Sequence, residues 1–273
     1  MKTGDTGAGV VETVRDASDS RPMDWAARAG LTARGAVYLL MGILALLVAQ
    51  GSRARVDQKG ALSQVLSQPF GGFIVALLAL GFAAYSVWRL SEAAFGVVGE
   101  GRRKGPRLQS LARGIVYAFL AFTAVSLLAG SRAPQSKQQE GYAATAMGLP
   151  AGRWAVGIVG LVVVGVGAFL VFEGIRLKFM RYFPADQISG RSRSVVRVLG
   201  QVGTIARGLV FALAGGLVVY AAWAYKPAKA GGIDTALKAL QDLPFGDALL
   251  ALAALGLIVF GIYGFAEARF RRV

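Results

Sequence analysis

The chain has no cysteine and no histidine. The first absence excludes disulfides, thiolate metal centres and cysteine nucleophiles, and the second removes the commonest metal ligand and general base. Acidic residues are few, 15 against 30 lysines and arginines, and charged residues make up only 16% of the 273-residue chain, where a soluble domain carries about 25%. The sequence is filled instead by apolar residues, 55% of the total, at a mean hydropathy of +0.54. A chain of this composition has the bilayer as its solvent.

Apolar runs near 35–50, 70–91, 111–130, 152–175, 203–225 and 246–268 approach the ~20 residues that cross ~30 Å of hydrocarbon. They predict six spanning helices. The central portions of these runs hold no Asp, Glu, Lys or Arg, and little polar chemistry beyond Ser86, Thr123 and Ser126. Proton- and ion-coupled transporters use such groups at mid-depth, and a Ser–Lys hydrolase lacks a lysine there. The expectation is therefore a non-enzyme with no catalytic, cofactor-binding or metal-ligating residues and no cofactor.

The net charge of +15 is unevenly distributed. The amino-terminal segment through Arg34, the connections at 89–113 and 176–207 and the carboxyl terminus hold 21 of the 30 lysines and arginines. The asymmetry predicts both termini and both basic connections in the cytoplasm. Residues 1–24 mix both signs without a 7–15-residue apolar core, unlike a signal peptide, and are expected to form a disordered cytoplasmic tail. Anionic lipid headgroups on the cytoplasmic side are the partners such a basic face implies. Nucleic acid is not expected.

Three segments repeat. ARGAVY at 33–38 returns as ARGIVY at 112–117 and ARGLVF at 206–211; Pro69, Pro150 and Pro244 follow Arg34, Arg113 and Arg207 by 35, 37 and 37 residues; Glu92, Glu173 and Glu267 each follow a proline by 23. The unit is a helical hairpin that enters at Ala-Arg-Gly, crosses, turns at Pro-x-Gly and returns to glutamate. The expected fold is all-α and integral to the membrane, six transmembrane helices in three tandem hairpins with pseudo-threefold repetition: 25–98, 107–180 and 197–273, with a cytoplasmic linker at 181–196. Each proline suits the first turn of its inbound helix. Short stretches before the prolines, 61–68, 143–149 and 235–243, are expected to lie as helices at the opposite interface.

Small residues recur two helical turns apart after each arginine, Gly35 and Gly42, Gly114 and Ala121, Gly208 and Gly215, with Ala212 and Gly216 added in the third copy. They predict a close-packing seam. Tyr38, Tyr117 and Phe211, and Trp88, Phe169 and Tyr263, recur near the charged ends as expected interfacial anchors. Since 23 residues span roughly 34 Å of helix, the three arginines and three glutamates share one level. They are expected to pair within or between hairpins as folding staples; the sharper reading is a charged vestibule that binds an anionic headgroup or gates a pore. GEGRRKG at 99–105 lacks phosphate-loop spacing and reads as a turn, GVGAF at 165–169 as a packing segment, and RYFPADQISGRSRS at 181–194 as flexible linker or as contact for acidic lipid or a partner.

On ARG-x-V-[YF], P-x-G and the terminal glutamate, the chain resembles the bacterial membrane proteins of domain-of-unknown-function family 1206, in which a transmembrane helix pair occurs three times. The resemblance covers about 25 to 270 and implies fold and location, a multi-pass protein of the bacterial plasma (inner) membrane, without an activity. The second copy departs from the pattern, with Ala151 where the others have Phe. The leading expectation is a non-catalytic membrane protein that packs against lipids or a membrane protein partner. The alternative is a small channel or transporter with a pathway between or through the hairpins.

Overall fold

The structure is a computed structural model that describes residues 21–52, 54–96, 104–131, 133–183, 188 and 190–271. The six apolar runs form α1 (Arg21–Ala49), α3 (Gly71–Phe95), α4 (Lys104–Leu128), α6 (Gly152–Ile175), α7 (Gly190–Trp223) and α9 (Gly246–Phe270), each long and apolar enough to cross a membrane. One short helix joins the two spans of each hairpin: α2 (Gln58–Leu66), α5 (Gln135–Met147) and α8 (Gly232–Ala239). The described residues contain no strand.

Two expected boundaries move. Helix α1 starts at Arg21, inside the segment expected to be a tail, and residues 1–20 of that segment lie outside the described residues. The linker expected at 181–196 is helical from Gly190 onward, because Val196 already packs into the core at 2% exposure and carries the helix beyond the apolar run. Residues 184–187 and 189 of that linker, and 99–103 of the glycine-rich turn, lie outside the described residues.

The Pro-x-Gly element is a tight turn repeated three times. Gly71, Gly152 and Gly246 donate to the carbonyls of Gln68, Leu149 and Leu243 at 2.8–2.9 Å, with Phe70, Ala151 and Phe245 in left-handed backbone at φ 59–60°. Each proline thus stands two residues ahead of its helix instead of in its first turn, where the sequence suggested it. Its fixed φ suits the second position of the turn. The following glycine is required by space, since a Cβ there would collide with the Val65, Ala146 or Leu240 carbonyl of the preceding short helix. Those short helices do not simply float at the interface. Ala61 and Leu62 of α2 and Ala236 and Leu237 of α8 are fully buried, so the helices close one end of the bundle as a cap.

Helices pair most extensively across repeats: α1 with α9, α3 with α4, and α6 with α7. The last hairpin thereby packs onto the first, and the spans follow one another in the order α4, α3, α1, α9, α7, α6 as an arc that is open between α4 and α6. The seams are lined by the expected glycines. A Cβ on Gly35 would lie 2.8 Å from the Gly261 carbonyl oxygen, one on Gly42 2.7 Å from the Ile258 nitrogen, one on Gly114 2.7 Å from Leu90 Cδ2, one on Gly208 2.8 Å from the Gly167 oxygen and one on Gly215 2.6 Å from the Val164 nitrogen. Gly216, expected on the same seam, faces open space.

Within repeats the contacts differ. In repeats 1 and 3 the two spans also pack, α1 on α3 and α7 on α9, whereas α4 and α6 of repeat 2 share no such seam. The cause can be read residue by residue. In repeat 1, Gly30 receives Tyr85, and Gly81 receives Ala33, whose Cβ would lie 3.0 Å from a Cβ at position 81. In repeat 3, Gly203 receives Phe260 and Gly256 receives Ala206. The same positions in repeat 2, counted from the arginine and the proline, hold Gln109, Val166, Val162 and Ala112. Both glycines that admit the facing chain are gone and the large ring is replaced by valine, so the spans stand apart.

Candidate functional site: an arginine vestibule and a lateral cleft

A strictly threefold molecule would pair Arg34 with Glu267, Arg113 with Glu92 and Arg207 with Glu173 across the three extensive seams. Only the first pair forms. Glu267, 4% exposed, accepts from Arg34 Nη2 and, one turn further along its own helix, from Arg271 Nη1 at 2.7 Å. Glu92 is taken instead by Arg89 Nη1 at 2.6 Å and Ser110 Oγ at 2.9 Å. Arg89 is held in turn by the Tyr85 hydroxyl at 2.8 and 3.0 Å and lies 4.1 Å from the Trp88 ring.

Repeat 2 has no such helix-mate. At the positions equivalent to Arg89 and Arg271, three before and four after the glutamate, it carries Leu170 and Leu177. Among the described residues, Glu173 and Arg113 make no hydrogen bond and no ion pair. Arg207 turns away from Glu173. Its Nε donates to the Tyr38 hydroxyl at 3.0 Å, and its guanidinium lies 4.9–5.2 Å from the Phe260, Phe211 and Tyr38 rings, a cation–π environment in place of an ion pair.

The aromatics expected at the lipid interface are mostly core. Tyr38, Tyr117, Trp88 and Tyr263 are 3–7% exposed, with Tyr38 edge-on to Phe260 at 4.8 Å and Tyr85 against Tyr117 at 4.4 Å. They point inward because the arginines need polarizable walls once removed from water. Phe169 differs and faces a cavity.

Two cavities adjoin this cluster. A small one of about 40 Å³ is lined by Arg34, Arg113, Arg207, Arg271, Glu173 and Glu267, so the expected common level is real for all three repeated arginines and two of the glutamates. Such a volume is large enough for a water molecule. The Nε atoms of Arg34 and Arg271 are buried without a partner. The second cavity, about 920 Å³, lies in the gap between α4 and α6. Its walls are apolar, Val116 and Leu120 on one side and Val162, Val166 and Phe169 on the other, and Arg34, Arg113, Arg207, Lys178, Arg181 and Glu173 stand among its charged lining.

Sequence reasoning passed over Arg89 and Arg271, although their i,i+3 and i,i+4 spacing to glutamate is a signal for ion pairs on one helix. It also passed over two helix caps. Arg28 donates to the Ala268 and Arg269 carbonyls at 2.7 and 3.0 Å, and Arg107 to those of Ala93 and Ala94 at 2.7 and 2.9 Å. These bonds satisfy orphan carbonyls at the ends of α9 and α3. Both arginines lie six residues before the repeated one, where the third copy has Gln201.

Six spans in three hairpins, packed as an open arc around buried charge, define an all-α multi-pass membrane protein with internal repetition. The chain belongs to the family described as Domain of Unknown Function (DUF1206), which matches it three times, over residues 29–96, 108–176 and 202–271. It is also similar to the uncharacterized protein YxxB of Bacillus subtilis (strain 168), 28% identical over 239 residues and covering 86% of each chain. No solved structure matches it.

Proposed function

We propose that this protein is a non-catalytic component of the bacterial plasma membrane that takes a lipid from the bilayer into the open side of its second repeat. The observation that carries this reading is the gap between α4 and α6: an apolar cavity of about 920 Å³, at the upper end of the ~300–1,000 Å³ of small-molecule pockets, at a place where the other two repeats are packed shut. The absence of cysteine, histidine and mid-depth charge supports a role without chemistry. The basic residues clustered at the arginine end support that end as cytoplasmic.

Native mass spectrometry after gentle extraction tests the reading. One retained lipid per chain is expected, and Val166→Trp, which fills the cleft, should displace it. Retention unchanged in that variant places the lipid elsewhere and defeats the proposal. Orientation is tested in this cysteine-free chain with an impermeant thiol reagent on intact cells. Ser192→Cys should be protected and Lys229→Cys labelled; the reverse would invert the topology.

A second reading, a channel or transporter, is favoured by one feature. The cavity lining runs from Lys178 and Arg181 at the arginine end to Gln58 at the cap end, so it follows the span. Ion flux through protein-containing liposomes above that of empty vesicles would replace the first reading with this one.

A further inference from the structure

The vestibule is lined by Arg34, Arg113, Arg207 and Arg271 against Glu173 and Glu267, with the buried Arg89–Glu92 pair a separate ion pair, and the imbalance is local. Glu267 is shared by Arg34 and Arg271, and Glu92 is held by Arg89 and Ser110. The remaining charges, Arg113, Arg207 and Glu173, all line the cleft. These three alone sum to one positive charge, and Lys178 and Arg181 add to the basic lining of the same cleft; neither Arg113 nor Arg207 has a carboxylate partner among the described residues, Arg207 resting on a hydroxyl and three rings instead. Charges in that position are costly without a counter-charge.

We infer that the cleft of repeat 2 is a site for a singly charged anionic phospholipid, its phosphodiester held between Arg113 and Arg207 and its acyl chains lying between α4 and α6. This rests on the reading of the cleft as a lipid site and adds the charge class of the occupant. Two further observations and one chemical match support it. The Arg34 Nε is buried, has no partner and belongs to a side chain lining both cavities. Lys178 and Arg181 also line the cleft, where Glu173 is the one acidic lining residue among the described residues. Guanidinium groups match phosphate oxygens in a planar fork.

The sign of the lining charge and the presence of Glu173 within it select the headgroup. A zwitterionic lipid brings an ammonium group toward Lys178 and Arg181, and a phosphomonoester dianion brings a second negative charge toward Glu173. A phosphodiester monoanion avoids both. Glu173 is thus a specificity element, which explains a buried carboxylate left without a hydrogen bond in the one repeat whose helix has no arginine to meet it.

The test offers the purified protein equal amounts of phosphatidylglycerol and phosphatidylcholine with identical chains, with palmitate as a third competitor, and reads retained species by native mass spectrometry. Phosphatidylglycerol should be preferred by ~10-fold or more. Arg113→Gln with Arg207→Gln should abolish the preference, Arg153→Gln at the cap end should leave it intact, and Glu173→Gln should relax the discrimination against a phosphatidic acid dianion. Equal retention of both phospholipids by the unaltered protein overturns the charge assignment while the lipid cleft stands. Retention of no lipid overturns both readings. Palmitate displacing phosphatidylglycerol overturns the phosphodiester, and a preference that survives the double arginine substitution overturns the residues named.

Discussion

Repeats 2 and 3 start from the same motifs and finish as different objects. In repeat 3 the inbound helix α9 packs on α1 and on α7, Gly261 and Gly264 lie against Gly35, and Glu267 is clamped by arginines from two helices. In repeat 2 the inbound helix α6 packs extensively on α7 alone, leaves Val159, Val162 and Val166 exposed, and keeps Glu173 without an ion pair among the described residues. The difference shows that a repeated arginine and glutamate do not carry a fixed role. The neighbours at a few positions, glycine or valine at the seam and arginine or leucine beside the glutamate, decide whether the pair forms a staple or faces an open cleft.

The largest expected effect tests that contrast directly. Glu267→Gln leaves Arg34 and Arg271 buried without a counter-charge and should cost ~3–5 kcal/mol, whereas Glu173→Gln, which breaks no hydrogen bond, should cost less than ~1 kcal/mol. Unfolding of the two variants side by side in mixed detergent reads the difference, and equal losses would remove the distinction between the repeats.

The seams provide the next test. Gly256→Val drives a branched side chain into Ala206 and should lower stability by ~1–3 kcal/mol, while Val162→Gly with Gln109→Gly restores in repeat 2 the small residues of the others. The double variant should draw α4 toward α6, observable as a shorter distance between spin labels on the two helices. An unchanged distance would mean that these residues do not hold the cleft open.

The caps should matter less. Arg28→Ala removes two bonds to helix-end carbonyls at a cost of ~1–2 kcal/mol; Gln201→Ala, at the same position of the third copy, should change melting by under ~0.5 kcal/mol.

The smallest effect lies at the opposite end of the molecule. Asp57 caps α2 through the Gly60 N–H at 2.6 Å, yet burial raises its carboxyl above the ordinary aspartate range; the Gly60 bond opposes this and the Asp234 charge adds to it. An acid whose pKa is higher folded than unfolded holds its proton more tightly when folded. Its contribution to stability therefore falls as pH rises between those two values and is flat above them. Melting from about pH 4 to pH 7 should show that slope, and Asp57→Asn, which still caps Gly60, should remove it. A slope unchanged by the substitution would assign it to another group.

The sequence by itself determined six spans, three hairpins, the turn positions and a common level for the repeated arginines, because bilayer thickness and helical rise convert spacing into depth. It also identified Gly35, Gly42, Gly114, Gly208 and Gly215 as close-approach sites, since a missing Cβ has the same meaning on any helix. Partners were another matter. Arg34 meets Glu267 across 233 residues, Arg89 takes the carboxylate that symmetry would give to Arg113, and Arg207 takes a hydroxyl and three rings. Those choices depend on which helix faces are in contact, and only the tertiary structure sets that. The cleft lies between the two kinds of knowledge. Gln109, Val162 and Val166 were visible as departures from the other copies, but they acquire meaning only when α1 with α3 and α7 with α9 show that glycine at these positions is what lets two spans of one repeat touch.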